Sequence, residues 1–291
     1  MDRLLFGDNQ FFGVNHMSEE KARAQAMRFQ DTSAIVDVLD TAYDEGIRTF
    51  MCTTHDRIAE IAAHVRANPA RYRDFLFYPC MPYAHKYANA MTDYGMLGAV
   101  KRFLPDEGLL DAAMRGGMSL AKKDIEGVTT LLIDAEMKMF QGLKTPVIFL
   151  QNVVVDFLLG LGFKEAFRIF ASHVKARYGA EPGFITMNLP MLLDVLDEVG
   201  IDNPIVCANI NKIGFRMCGG IDAYEQALRD RRFRAIAMSV FASGAIPPEE
   251  AIKWVCERPQ IKSVVFGASS RGNIRSTRAL MERYSRELMA A

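Results

Sequence analysis

The chain has 291 residues, of which 50% are hydrophobic and 24% charged, enough apolar side chain to build a large core. Its 35 basic residues are matched by 35 acidic ones, so no nucleic-acid partner is expected. Five cysteines, at 52, 80, 207, 218 and 256, include no CxxC pair. They predict a reducing, cytoplasmic compartment rather than a disulfide framework.

The start, Met-Asp-Arg and a short apolar run, lacks the apolar core of a signal peptide. Leu4 to Phe6 reads as a first strand closed by Gly7. Helical patterns follow around Ser18 to Phe29 and Thr32 to Glu45, the second with Ile35, Leu39, Ala42 and Tyr43 at helical spacing. Gly46 is its stop. IRTFM is the second strand, Arg57 to Ala67 a helix, and Phe75 to Tyr78 a third strand stopping at Pro79.

Residues 80–118 break the rhythm with Pro82, Gly95, Gly98, Pro105, Gly108, Gly116 and Gly117. They read as an insertion over one end of the domain, a lid or binding loop, or else a packing or dimer element. A helix from Leu120 to Phe140 follows. The most apolar stretch, Pro146 to Phe163, is broken by Gln151, Asn152 and Asp156. A membrane span takes about 20 apolar residues, so none is expected.

Alternation then resumes. VIFLQ, GFITM, PIVCANI, FRAIAMSV and SVVFG read as strands four to eight. Their helices are Lys164 to Arg177, Met191 to Glu198, Ile221 to Arg229, Pro248 to Cys256 and Asn273 to Leu288. The basic run Arg229, Arg231, Arg232 and Arg234 reads as a solvated helix-to-strand turn. Apolar runs of this kind suit a parallel sheet covered on both faces. Eight strands with crossover helices predict an α/β fold, a (β/α)₈ TIM barrel with an insertion after strand three, as one domain over residues 1–291. No GxGxxG follows the first strand, which counts against an open doubly wound sheet.

In a barrel, chemistry collects at the C-terminal ends of the strands. Strand one ends at Asp8, Asn9 and Gln10, with Asn15 and His16 nearby. Strand two ends at Cys52, Thr53, Thr54, His55 and Asp56, and strand three at Cys80. Gln151, Asn152, Asn188, Asn209 and Asn211 follow strands four to six. Burying an unpaired amide is costly, so recurring carboxamides suggest a site for a neutral, hydrogen-bonding small molecule. Their other use is to cap helices and tie loops.

Asp8, His55, Asp56 and Lys212 are the candidates for proton transfer or nucleophilic chemistry. His55 can also begin a helix, and Lys212 can be a surface lysine. Asn9, Asn15, His16, Asn152, Asn209 and Asn211 are the candidates for substrate contacts. Zinc would draw on His16, Cys52, His55, Asp56 and Cys80, but their spacing fits no compact ligand motif, and no metal is expected. Ser239 to Gly244 and Val265 to Asn273 form two Gly-containing turns before helix starts, suited to an anion. Ser239, Gly244, Ser269 and Ser270 fall there, with Arg271 or Arg275 for a phosphate.

FASG before a Pro-rich helix start, followed by SVVFGASSRGNIRS, resembles the cofactor-binding end of aldo-keto reductases. LLFGDNQFFG, YDEGIRTF and ITMN are similar to that family's first strand, its approach to strand two and its strand five. Nearly the whole barrel is covered. The resemblance implies NADP(H), carbonyl reduction, and cofactor contacts from Gln151, Asn188, Ser239, Gly244, Ser269, Ser270, Arg271 and Arg275. It departs at the catalytic set. The family's aspartate, tyrosine, lysine and histidine positions fall at Met51, Asp56, Cys80 or Met81, and Gln151. A displaced hydroxyl from Tyr83, Tyr87 or Tyr94 is the available substitute. The expected function is a divergent oxidoreductase acting on a small carbonyl or sugar-like compound. The alternatives are a lyase or aldolase using Lys212 on a phosphorylated carbonyl, or a non-catalytic ligand-binding barrel.

Overall fold

The computed structural model describes residues 1–13, 18–83 and 122–290. Asn15, His16, Tyr87, Tyr94 and most of the 80–118 insertion lie outside them. Eight parallel strands close into a barrel in sequence order. They are β1 (Leu4–Gly7), β2 (Thr49–Thr53), β3 (Leu76–Met81), β4 (Val147–Leu150), β5 (Glu181–Thr186), β6 (Ile205–Asn209), β7 (Arg234–Met238) and β8 (Ile261–Phe266). The pairing Leu5↔Val265 between β1 and β8 shuts the ring.

The helices are α1 (Glu19–Arg28), α2 (Thr32–Asp44), α3 (Asp56–Ala67), α4 (Lys122–Met137), α5 (Asn152–Gly160) and α6 (Glu165–Tyr178). After them come α7 (Leu189–Glu198), α8 (Gly220–Asp230), α9 (Pro248–Cys256) and α10 (Arg271–Ala290). Two layers of core follow from the period of two along each strand. Leu5, Met51, Tyr78, Phe149, Ile205 and Ile236 fill the barrel interior. Phe6, Phe50, Phe77, Ile148, Phe184 and Val206 point outward and pack with the helices. Gly183 is a glycine because a Cβ there would overlap the Phe149 ring across the β4–β5 pair.

Two elements differ from the sequence reading. β3 does not stop at Pro79 but continues to Met81. Proline lacks a ladder donor, and the β3–β4 register begins only beyond it, at Cys80↔Phe149. The second difference is α5, a helix that begins directly after β4 inside what reads as one apolar run. Val153, Phe157 and Leu161 remain exposed there, so it has no polar face to mark it.

Among the described residues, no helix is long and apolar enough to cross a membrane. The arginine run before β7 is neutralised. Arg231 bridges Asp194 and Asp197, Arg229 faces Glu225, Arg232 faces Asp202, and Arg234 pairs with Glu181.

Candidate active site at the barrel mouth

A cavity of about 670 Å³ opens at the C-terminal ends of the strands, within the size range of small-molecule sites. Its floor is the top of the barrel interior: Met51, Cys80, Ile185, Cys207, Met238 and Val265. Asp8, Asn9 and Gln10 form one side, and Gln151 and Asn152 another. The rest runs along the loops after β7 and β8, from Ser239 to Pro248 and from Phe266 to Ala268, and reaches Asn273, Ser276 and Thr277 on α10.

Asp8 is the lone carboxylate among the described lining residues. It is 5% exposed, and its Oδ2 accepts both the Thr53 N–H and the Thr53 hydroxyl at 2.7 Å. Burial raises its pKa, and the Thr53 bonds act against that rise. Cys80 and Cys207 are thiols held well above their usual range by burial. Tyr83 stands close enough to Asp8 to feel its charge. Its phenol is pushed up first by burial and then by Asp8.

His55 lies beside this group rather than in the lining. It caps α3, its Nδ1 accepting the Arg57 N–H at 3.1 Å, so Nδ1 is not turned to Asp56. Its ring stacks on Phe12 at 4.2 Å and meets Tyr83 edge-on at 5.4 Å. Asp56 is exposed at the start of α3. Lys212 is on the outer face, its ammonium 2.6 Å from Glu250.

The strand-end carboxamides divide. Asn188 caps α7 by accepting the Met191 N–H. Asn209 donates to the Arg216 carbonyl at 3.1 Å, and Asn211 both donates to and accepts from the Phe215 backbone at 2.9 and 2.8 Å. These two buried side chains tie the loop after β6. Gln151, Asn152 and Asn9 line the cavity.

The anion turns divide as well. Ser239 and Gly244 are in the wall. Ser270 caps the first turn of α10, accepting the Asn273 N–H at 3.3 Å. Ser269, Ser270 and Arg271 are not in the lining, and Arg275 is bound to Glu45 at 2.6 Å. The described lining contains no lysine, arginine or histidine.

Sequence reasoning missed the backbone of this wall. Ser239, Ala242 and Ser243 have φ of 55°, 46° and 57°, followed by Gly244 at 94°. A non-glycine residue in that region costs about 1–2 kcal/mol, and such strain clusters where a ligand surface must keep one shape. Serine and alanine give no sign of it in the sequence. Gln10, named in the sequence among the strand-end residues but given no role there, places its carboxamide over Gly267. Among the described residues, no group of three or more His, Cys, Asp or Glu side chains is arranged to hold a metal.

The fold and the position of the cavity define the class: a closed (β/α)₈ barrel with its pocket at the strand C-termini. Among solved structures the chain is similar to a candidate aldo-keto reductase from Pseudomonas aeruginosa, at 13% identity, covering 97% of this chain and 91% of that one, with a TM-score of 0.58. It is similar to a candidate 2,5-diketo-D-gluconic acid reductase B at 9% identity, over 96% and 82% of the two chains, with a TM-score of 0.57. A thermostable aldo-keto reductase crystallised with the inhibitor epalrestat matches at 12% identity, over 97% and 90%, with a TM-score of 0.55. At such identities the likeness shows the fold: this chain has the barrel of the aldo-keto reductases. No family model matches the sequence, and no curated protein does.

Proposed function

We propose that the chain is a divergent aldo-keto reductase, a cytoplasmic oxidoreductase that binds NADP(H) and acts on a small carbonyl or sugar-like substrate with a non-standard catalytic set. The observation that carries this reading is the cavity itself, which runs from a buried carboxyl on one side of the barrel mouth to the first turns of α10.

The lining suits a nicotinamide nucleotide. Gly244 leaves its part of the wall free of a side chain, and Asn9, Gln10 and Gln151 bring carboxamide side chains to the lining. Asn273, Ser276 and Thr277 offer polar side chains near the N-terminal end of α10, where the helix dipole favours an anion. Arg271, exposed at the start of α10, is the arginine left for a 2′-phosphate, because Glu45 holds Arg275. The bound nicotinamide supplies or accepts a hydride.

The chain's own residues manage the proton and the substrate. Thr53 fixes Asp8 through Oδ2, leaving Oδ1 to exchange a proton with a substrate oxygen. The raised pKa of Asp8 brings it nearer to working pH, as a general acid or base requires. Tyr83, whose phenol is raised in part by the charge of Asp8, and His55, edge-on to Tyr83, are the further groups able to carry a proton. Asn9, Gln151 and Asn152 orient the substrate. By the family resemblance, Met51, Cys80 or Met81, and Gln151 fall at three of the family's usual catalytic positions and carry no charge there. Lys212, paired with Glu250 on the outer face, adds no support to a Schiff-base mechanism.

Fluorescence titration with NADPH, followed by turnover on a panel of small carbonyls and aldoses, tests the reading. Saturable binding and cofactor oxidation are expected. Binding without turnover on any substrate would favour a ligand-binding barrel, and absence of binding would remove the cofactor from the account.

A further inference from the structure

Asp8 is a buried carboxyl that meets the cavity without a counter-charge. Thr53 binds its Oδ2 through both the N–H and the hydroxyl, and the remaining polar contact is the residue's own backbone N–H. Among the described residues, no cation acts on it. Oδ1 takes no bond from another residue, yet it is not sealed in the packing, and the cavity is what it opens to. A carboxyl in that position has lost water without gaining an ion pair.

Three neighbours report its field. Cys52, Cys80 and Tyr83 are held protonated first by burial, and the charge of Asp8 adds to that hold in each case. Ionising any of them would bring a second negative charge close to the first. Among the described residues, the cation that eases Tyr83 is Arg57, and its guanidinium is held by the Phe29 and Phe11 carbonyls. Cys80 lies on the cavity floor, so the field extends into the space a ligand would fill. A negative charge on that ligand would meet the same repulsion, where little water is left to screen it.

We infer that Asp8 is a specificity-determining residue that restricts the substrate to uncharged carbonyl compounds and rejects their carboxylate and phosphate counterparts. The α10 end of the cavity has the opposite preference, because the N-terminal end of a helix favours an anion. One cavity therefore takes the cofactor's phosphates near α10 and a neutral aldehyde or aldose beside Asp8. A phosphorylated carbonyl, the substrate of an aldolase, is among the compounds excluded. The inference rests on the proposed function for the reaction and on Asp8 for the charge preference.

Erythritol and erythronate test it, since they differ in one group, a hydroxymethyl against a carboxylate. Each is titrated into the full chain without dinucleotide, at a mildly alkaline pH that favours the ionised carboxyl. Binding is followed by the ¹³C-methyl resonances of Met51 and Met238 on the cavity floor, assigned by their loss in Met51→Leu and Met238→Leu. Erythritol should saturate, and erythronate should bind about tenfold or more weakly, as like charges across a partly screened site require. In Asp8→Asn, with Asp8→Ser as a second neutral variant, the gap should close to within about threefold. Erythronate binding the native chain as tightly as erythritol overturns the inference, and that result needs no variant. A gap that persists in the neutral variants overturns it too, as does a failure of both compounds to move either methyl. Because no dinucleotide is present, an NADPH titration that fails to saturate removes the cofactor reading and leaves this result standing, and the reverse also holds.

Discussion

On the β5–β6 side of the barrel mouth, Asn188, Asn209 and Asn211 give their carboxamides to nearby backbone groups and hold loops in place. On the β1 and β7–β8 side, Asp8, Gln10 and Ser239 face a cavity, one with a raised carboxyl pKa and one with an unsatisfied oxygen. The residue types are alike, and all stand at strand ends. What separates them is the loop that follows. The loop from Ile210 to Gly219 folds back onto its own asparagines, whereas the loop after β7 turns away through three left-handed non-glycine residues and leaves a wall. A polar side chain at a strand end must find a partner, and only the surrounding backbone decides whether that partner is protein or ligand.

Substitutions on the two sides should therefore fail in different ways. Asp8→Asn should lower turnover by about 100-fold or more, the usual contribution of a positioned acid or base, and leave the fold intact. It should also change the pH dependence of stability. Burial lifts the Asp8 carboxyl above its unfolded value, so the native chain holds that proton more tightly. This contribution to stability is full below the unfolded carboxyl pKa and is lost as pH rises through the folded one. Urea denaturation at a series of pH values should show a shallower decline in Asp8→Asn than in the native chain.

Asn211→Ala should behave in the opposite sense. It removes both bonds to the Phe215 backbone and should cost about 3 kcal/mol in urea denaturation, while the folded fraction keeps its ligand affinity. A fall in affinity with unchanged stability would erase the distinction between the two sides. The smallest effect is expected at Ser243, whose φ of 57° suits glycine better. Ser243→Gly should stabilise the protein by about 1 kcal/mol, read as a rise in Tm, and weaken binding slightly if the strain maintains the wall.

The fold was legible because strand and helix periods alternate and the breakers fall between them. α9 begins at Pro248 and ends at Cys256, as its sequence indicates, since proline marks a first turn. α5 was hidden because exposed Val153, Phe157 and Leu161 give it no polar stripe. The site was legible as a set of strand-end polar residues and no further. The contact of Gln10 with Gly267 depends on closure of β1 against β8, a pairing between opposite ends of the chain that no local pattern reports. The capping role of His55 was one of its two sequence readings, and the Arg57 N–H is what it caps. The Lys212–Glu250 ion pair needed the spatial meeting of the β6 loop with α9.

The central claim is that the cavity between β1 and the β7–β8 loops holds a nicotinamide nucleotide. Ser276 is exposed at its α10 end, so Ser276→Trp narrows the cavity without touching the barrel core. NADPH fluorescence titrations of the native chain and of Ser276→Trp, with Tm measured alongside, address the claim directly. The account predicts saturable binding to the native chain, loss of that binding in Ser276→Trp, and the same Tm for both. Equal binding by the two proteins, or no saturable binding by the native chain, would contradict it.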